Sequence, residues 1–148
     1  FLNCGRSNIK NGGAIRLIDS NTEINQSEFK NNTANIGACI SVECNFGQAC
    51  NNKFASLVFE DNTASQMGGG VYYNLVRPVM QNITYQNNSA LYGPDIASYA
   101  VKIVQRHTKN NKIYLNNIGS GLKFGQTLYF DLVDYDGQVM ILENSYTL

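Results

Sequence analysis

Apolar residues arrive along this chain in short bursts. Ala14-Ile15-Arg16-Leu17-Ile18, Glu23 to Phe29, Ile40-Ser41-Val42, Leu57-Val58-Phe59, Val71-Tyr72-Tyr73 and Met80 to Tyr85 are alternating or apolar runs bounded by polar turn residues. Runs this short predict β-strands, and no window carries a sustained apolar stripe at helical spacing. The bursts also recur with the same punctuation. Phe1-Leu2-Asn3-Cys4 leads to Gly12-Gly13-Ala14-Ile15, and Phe29-Lys30-Asn31-Asn32 leads to Gly37-Ala38-Cys39-Ile40. Phe59-Glu60-Asp61-Asn62 leads to Gly68-Gly69-Gly70-Val71, and Tyr85-Gln86-Asn87-Asn88 leads to Gly93-Pro94-Asp95-Ile96.

Aligning Gly12, Gly37, Gly68 and Gly93 gives steps of 25, 31 and 25 residues, and Phe29, Phe59 and Tyr85 give 30 and 26. Self-similarity at such a period is the signature of stacked repeats, each burying its apolar face on its neighbour. The longest step contains Cys44-Asn-Phe-Gly-Gln-Ala-Cys50, which reads as a loop extruded from one repeat and pinned at its base. The fold predicted for residues 1–99 is therefore all-β: a right-handed parallel β-helix of three to four coils. Phe29, Phe59 and Tyr85 are expected to form an interior aromatic stack, with Ile15, Ile40, Val71 and Ile96 as an aliphatic one. Asn32, Asn62 and Asn88 are expected to form a corner ladder, each amide donating to the next coil. The four glycines serve corners needing positive φ or close backbone approach.

After Ile96 the pattern stops. Ala100–Val104, Lys112–Leu115, Thr127–Val133 and Gln138–Leu142 read as longer alternating strands, the last two joined by Asp134-Tyr-Asp-Gly137. An Asp-Gly turn between such runs predicts an antiparallel hairpin. The segment Gly125-Gln-Thr127 to Gly137-Gln-Val139 resembles the opening of an immunoglobulin-like β-sandwich, which implies that residues 100–148 are part of such a domain, of about seven strands and about 100 residues when complete. The missing strands are expected beyond Leu148 or from another chain. The opening Phe-Leu-Asn-Cys-Gly, without an initiator Met, reads as the interior of something longer.

The Phe-x-x-Asn followed by Gly-Gly-Ala-Ile resembles the repeat of polymorphic outer-membrane adhesins. It is also similar to repeats in very large surface and secreted proteins of ciliated protozoa, where Asn-rich pectin-lyase-like coils lead into immunoglobulin-like domains. The resemblance covers about residues 1–99. Gly12 to Ile15 matches fully, Gly68 to Val71 nearly so, and Gly37 to Ile40 and Gly93 to Ile96 in part; Asn88 to Tyr99 is the stretch most like the ciliate proteins. It implies an extracellular β-helix used for display, adhesion or assembly.

Composition narrows the functions further. Net charge is zero with 15% charged residues, so no basic footprint for nucleic acid is present. No apolar run approaches the roughly 20 residues of a membrane span. Four cysteines with one histidine and no Cys-x-x-Cys spacing argue against zinc. In an exported chain they predict disulfides Cys44–Cys50 and Cys4–Cys39, with buried free thiols as the alternative. Asparagine is frequent, and sequons at Asn25, Asn31, Asn82 and Asn87 predict N-linked glycans if the chain is secreted.

Polysaccharide-cleaving β-helices need carboxylates gathered on one face with a basic partner. Here Asp19, Glu23, Glu28, Glu43, Glu60, Asp61 and Asp95 fall at scattered positions in the repeat, and Arg6, Arg16, Arg77 and Arg106 supply the guanidinium groups. Asp134–Gly137 lacks the later ligands of a calcium loop and reads as a turn. His107 reads as a solvated linker residue. Tyr72, Tyr73, Tyr92 and Tyr99 offer either a sugar-stacking face or packing. The expectation is a non-enzymatic extracellular structural or adhesion module without cofactor. Its partners would be copies of itself or other surface proteins. The alternative is a carbohydrate-binding or polysaccharide-degrading β-helix.

Overall fold

The computed structural model describes residues 1–5, 8–106, 119–121, 125 and 127–141. Arg6, His107, the run Lys112–Leu115, Gln126 and Leu142 lie outside the described residues. The described residues are all-β, with no helix and with several sheets, none closed into a barrel. The strands are β1 (Ile15–Ile18), β2 (Glu23–Lys30), β3 (Thr33–Ile36), β4 (Ile40–Glu43), β5 (Lys53–Glu60), β6 (Thr63–Met67), β7 (Val71–Tyr73), β8 (Val79–Gln81), β9 (Thr84–Gln86), β10 (Ile96–Ala97), β11 (Ala100–Gln105) and β12 (Phe130–Asp134).

The first sheet runs β1-β4-β7-β10, the second β2-β5-β8 with β9 also on β5, and the third β3-β6; every pairing among them is parallel. The chain thus visits the sheets in fixed order, pass after pass, with turns in place of crossover helices. Register carries the sequence repeat into space. Ile15 pairs with Ile40, Ile40 with Val71 and Val71 with Ile96. Phe29 pairs with Phe59 and Phe59 with Tyr85. Their rings stack at centroid separations of 5.1 and 5.4 Å, and Phe1 extends the row at 4.8 Å from Phe29. These spacings follow from the strand separation of a sheet, and each stacked pair adds about 0.5–1.5 kcal/mol beyond the area it buries. Phe29, Ile40, Phe54, Leu57, Phe59, Val71 and Tyr73 form the buried core between the sheets.

Three columns of left-handed backbone turn the chain. Gly12, Gly37, Gly68 and Gly93 form one, and Asn3, Asn31, Asp61 and Asn87 form the second, with φ between 52° and 55°. Glycine is required at Gly68, where φ is 71° and a Cβ would stand 2.7 Å from the Val71 carbonyl oxygen. The third column, Gln26, Ser56 and Asn82, bends the second sheet in mid-strand. Simple alternation would bury every second residue, yet Phe54, Leu57 and Phe59 are all buried. The left-handed residue at Ser56 resets the phase between Phe54 and Leu57. The β2–β5 ladder accordingly steps from Asn25↔Ala55 to Ser27↔Leu57. Such a conformation costs a non-glycine residue on the order of 1–3 kcal/mol, offset here by a second pair of inward apolar positions.

Beside the aromatic row runs the asparagine ladder. Asn32 Nδ2 donates to Asn62 Oδ1 and Asn62 Nδ2 to Asn88 Oδ1, both at 2.9 Å. Each Oδ1 also accepts a main-chain N–H from the preceding pass: Cys4 to Asn32, Asn32 to Asn62, Asn62 to Asn88. The second amide proton of Asn62 goes to the Phe29 carbonyl at 2.9 Å, and that of Asn88 to the Phe59 carbonyl at 3.1 Å. Asn32 and Asn62 are fully buried, so the bonds of Asn32 to Asn62 and of Asn62 to the Phe29 carbonyl stand in for water that cannot enter.

Beyond β10 the topology becomes antiparallel. β11 pairs with β12, Val133 bridges to Val139, and the intervening turn closes with Gly137 N–H on the Asp134 carbonyl. This turn docks on the parallel sheets. Tyr73 Oη donates to Asp136 at 2.6 Å, Arg77 Nε to the same carboxylate at 2.9 Å, and Gln138 Nε2 to the Ile96 carbonyl at 2.9 Å.

Replacing Asn62 by alanine strands the Phe29 carbonyl and the Asn32 main-chain and amide N–H groups in the core, and leaves Asn88 Oδ1 only the main-chain N–H of residue 62. The expected loss is about 3 kcal/mol, read as a lower urea midpoint with an unchanged slope. Phe59→Ala, which breaks the aromatic row at its centre, is expected to cost about 3–5 kcal/mol in the same measurement.

Candidate binding groove

On the first sheet Ile15, Leu17, Ile40, Val42, Val71 and Tyr73 point to the core, so alternation sends Arg16, Ile18, Ser41, Glu43 and Tyr72 to the opposite face. Ile36 of β3 and Met67 of β6, neighbours in register, flank that face. Between them lies a groove of about 380 Å³ whose lining includes Ile36, Met67, Tyr72 and Tyr99, with Asn11, Glu43, Asn45 and Asn74 at its edges.

Among the described residues, Glu43 is the one carboxylate lining the groove. Arg16 grips it with two bonds, Nη2 at 2.7 Å and Nε at 2.8 Å, and Asn11 Nδ2 adds a third at 2.7 Å. The Arg16 bonds hold its carboxyl below the usual carboxylate range, against partial burial, which acts to raise it. An acid for glycosidic cleavage needs the reverse, a carboxyl held protonated near neutrality. Asp19, whose main-chain N–H bonds the Glu43 carbonyl at 2.9 Å, is engaged by Asn45, whose main-chain N–H and Nδ2 bond its carboxylate at 2.7 and 2.6 Å. Among the described residues, the groove thus offers fixed amide groups and a carboxylate held in its ionised form.

The tyrosines divide. Tyr72, Tyr73 and Tyr92 are buried, and burial raises each phenol above its ordinary range. Tyr99 alone of the four is half exposed, standing edge-on to Tyr72 at 6.0 Å. Packing takes the Tyr73 and Tyr92 rings out of reach of a ligand, while Tyr72, though buried, lines the groove beside Tyr99.

One wall of the groove continues into the extruded loop. Cys44 and Cys50 are bonded to each other, 6.0 Å apart at Cα. Asn74 holds the base of the loop, accepting the Cys44 N–H at 2.7 Å and donating to the Cys44 carbonyl at 3.0 Å. Buried Asn52 accepts from Ser20 Oγ and Thr22 N–H. These two asparagines form bonds between passes away from the main ladder. The sequence reading missed them, although the 30-residue spacing of Cys44 to Asn74 and of Thr22 to Asn52 repeats that of Phe29 to Phe59.

The expected Cys4–Cys39 bridge is corrected: both are free thiols. Cys4 occupies the ladder position above Asn32, and its Sγ turns to the Leu2 carbonyl, 3.7 Å away. Cys39 lies seven residues beyond Asn32, inside the core, where its Sγ contacts Asn32 Nδ2 and the Gly69 carbonyl. Burial pushes the Cys39 thiol up to about 12.

Among the described residues, the group of side chains able to gather round a metal ion is Asp19 with Cys44 and Cys50, and its two sulfurs are bonded to each other. Asp134 and Asp136 in the C-terminal turn are both engaged: Asp134 by main-chain N–H groups of Asp136 and Gln138, and Asp136 by Tyr73 and Arg77. The four sequon asparagines, Asn25, Asn31, Asn82 and Asn87, are all exposed and lie on the second sheet or at its ends, away from the groove.

Under native conditions an alkylating reagent at neutral pH is expected to label Cys4 and spare Cys39, with both labelled after denaturation. Intact mass should show one disulfide. Glu43 binds fewer protons folded than unfolded in the acid range, so its contribution is present above the ordinary carboxylate pKa and is lost as pH falls through its lowered one. Glu43→Gln should flatten that part of an acid stability curve followed by thermal melting.

Set against protein families, curated proteins and solved structures, the chain matches none of them.

Proposed function

We propose that the chain is an extracellular structural or adhesion module of a larger surface or filament-forming glycoprotein. In this reading the three parallel sheets are the faces of a right-handed, pectin-lyase-like β-helix of three to four coils over residues 1–99. Residues 100–148 are part of an immunoglobulin-like sandwich, as the resemblance to adhesin and ciliate surface repeats implies. The observation that carries the reading is the in-register stacking of like residues on successive passes, from Phe1 through Phe29 and Phe59 to Tyr85. Side chains able to do chemistry are instead engaged in bonds between passes. Asn32, Asn62 and Asn88 link coils, and Arg16 and Glu43 neutralise each other.

The Cys44–Cys50 bridge fits an oxidising compartment. Partners are further copies or other surface proteins, with N-linked glycans on the exposed sequons and no cofactor. Among the described residues β1 pairs on one side, with β4, while β2 pairs with β5 and, at its C-terminal end, with Phe1–Asn3; the open parallel edge that remains favours strand addition.

A second reading, carbohydrate binding, is favoured by half-exposed Tyr99 beside the amide-bearing rim Asn11, Asn45 and Asn74. Expression through a secretory host separates the outcomes. The structural reading expects oxidised Cys44–Cys50, mass removable by an amidase specific for N-glycans, and no unsaturated product from acidic polysaccharides. Product formation on any of them sinks it, and so does export with all four thiols reduced and no glycan. Saturable retention of a neutral or acidic glycan, lost in Tyr99→Ala, would move the assignment to the second reading.

A further inference from the structure

The last strand of the first sheet has an edge that is already occupied. In a parallel ladder a residue directs its N–H and its carbonyl to the same neighbouring strand. Ile15 donates its N–H to the Cys39 carbonyl, Ile40 to Gly70 and Val71 to Asp95, each toward the following pass. Ile96 pairs with Val71 at the same register, so its own N–H and carbonyl face the side where a further pass would lie. A side chain takes that carbonyl: Gln138 Nε2 donates to it at 2.9 Å. The second amide proton of Gln138 goes to Asp134 Oδ2 at 3.1 Å, which fixes the aim of the amide. A side-chain amide offers the same N–H as a peptide group, so Gln138 fills the bonding position of the next pass.

The hairpin that carries Gln138 is fastened around this point. Buried Asp134 accepts the main-chain N–H groups of Asp136 at 3.0 Å and Gln138 at 2.8 Å and so shapes the turn. The Tyr135 N–H donates to Oγ of Ser98, one residue beyond β10, at 3.0 Å. Asp136 accepts from Tyr73 Oη and Arg77 Nε. Met140 packs on the cluster of Tyr72, Tyr92 and Ala97, and the Tyr135 ring stands edge-on to Tyr73 at 6.4 Å. Ala97 and Ser98 are completely buried although they lie at the margin of their sheet.

We propose that the C-terminal hairpin is an end cap, which holds the β10 edge closed to strand addition and stops growth of the first sheet there. Exposed edges recruit another chain unless something covers them, and stacked repeats need a terminal element that ends the stack. The hairpin suits that task because β11 and β12 form a sheet of their own. It meets β10 through a turn and side chains, so parallel pairing cannot propagate through it. At the opposite margin β1 pairs with β4 alone among the described residues, so the two margins are unlike. The proposal rests on the strand-addition reading above for what an uncovered edge does. The cap contacts themselves require neither secretion nor glycans.

The full chain carrying Asp136→Ala and Gln138→Ala loses the turn's bonds to Tyr73, Arg77 and Ile96. It is compared with the unaltered chain by sedimentation velocity and hydrogen exchange, from micromolar to near-millimolar protein. Undocking should speed exchange of the Tyr135 amide about tenfold or more. Because an edge pairs only in the fraction of molecules that expose it, the weight-average mass should rise above 16.4 kDa at about tenfold lower concentration. The Ile96 amide should exchange more slowly as concentration rises in the variant, and at one rate throughout in the unaltered chain. Unchanged exchange in the β2–β5 ladder would show the stack intact. Gln138→Ala alone should shift mass and Ile96 exchange in the same direction, by less. A double variant that matches the unaltered chain in both readouts overturns the proposal, and so does concentration-dependent slowing at Ile96 in the unaltered chain. If the double variant unfolds, Gln138→Ala decides, and no change in it overturns the proposal. An unglycosylated, fully reduced chain with a working cap would remove the structural-module reading and keep the cap. A secreted, glycosylated chain indifferent to Gln138→Ala would lose the cap alone.

Discussion

Parallel, in-register pairing of successive passes is the constraint on which the rest depends. Once Phe29 lies beside Phe59, and Ile40 beside Val71, every residue of one pass has an assigned neighbour in the next. The sequence must then supply like shapes at fixed intervals, because a large ring facing a small side chain leaves a void and a charge facing its like is repelled. A glycine shows the same rule from the other side. A Cβ at Gly70 would lie 2.6 Å from the Asp95 carbonyl oxygen and 3.1 Å from the Tyr85 ring, so the aromatic row has room only because that position is empty.

Polar groups enter this core under the same rule. Asparagine suits the corner because one side chain offers an acceptor and two donors, and the stack provides partners for all three. The acceptor takes a main-chain N–H and an amide from one neighbouring pass, while the donors reach the other neighbour's amide and a main-chain carbonyl. A buried serine or aspartate at Asn62 could not fill that pattern.

Much of this was legible because repeats expose themselves. The aromatic row, the aliphatic row, the asparagine ladder and the disulfide-closed loop all involve the same residue type at a regular interval or flanking an insertion. The mid-strand bend was not legible, since Gln26, Ser56 and Asn82 share neither residue type nor turn propensity. The free Cys4 and Cys39 thiols escaped because spacing says nothing of which way a sulfur turns. The groove was missed because it belongs to no motif. Asn11, Glu43 and Tyr72 meet only once three passes are superposed.

The corner row has a sense of direction. Each ladder bond runs from the amide nitrogen of one pass to the amide oxygen of the next, while the second proton of Asn62 and Asn88 returns to a main-chain carbonyl of the earlier pass. At the nitrogen end Asn88 meets the carboxylate of Asp95 at 3.1 Å, where earlier passes place Ala14, Cys39 and Gly70. An anion is the favourable acceptor at that donating end. The asparagine row thus has two ends of unlike character, one donating and one accepting, rather than interchangeable ones.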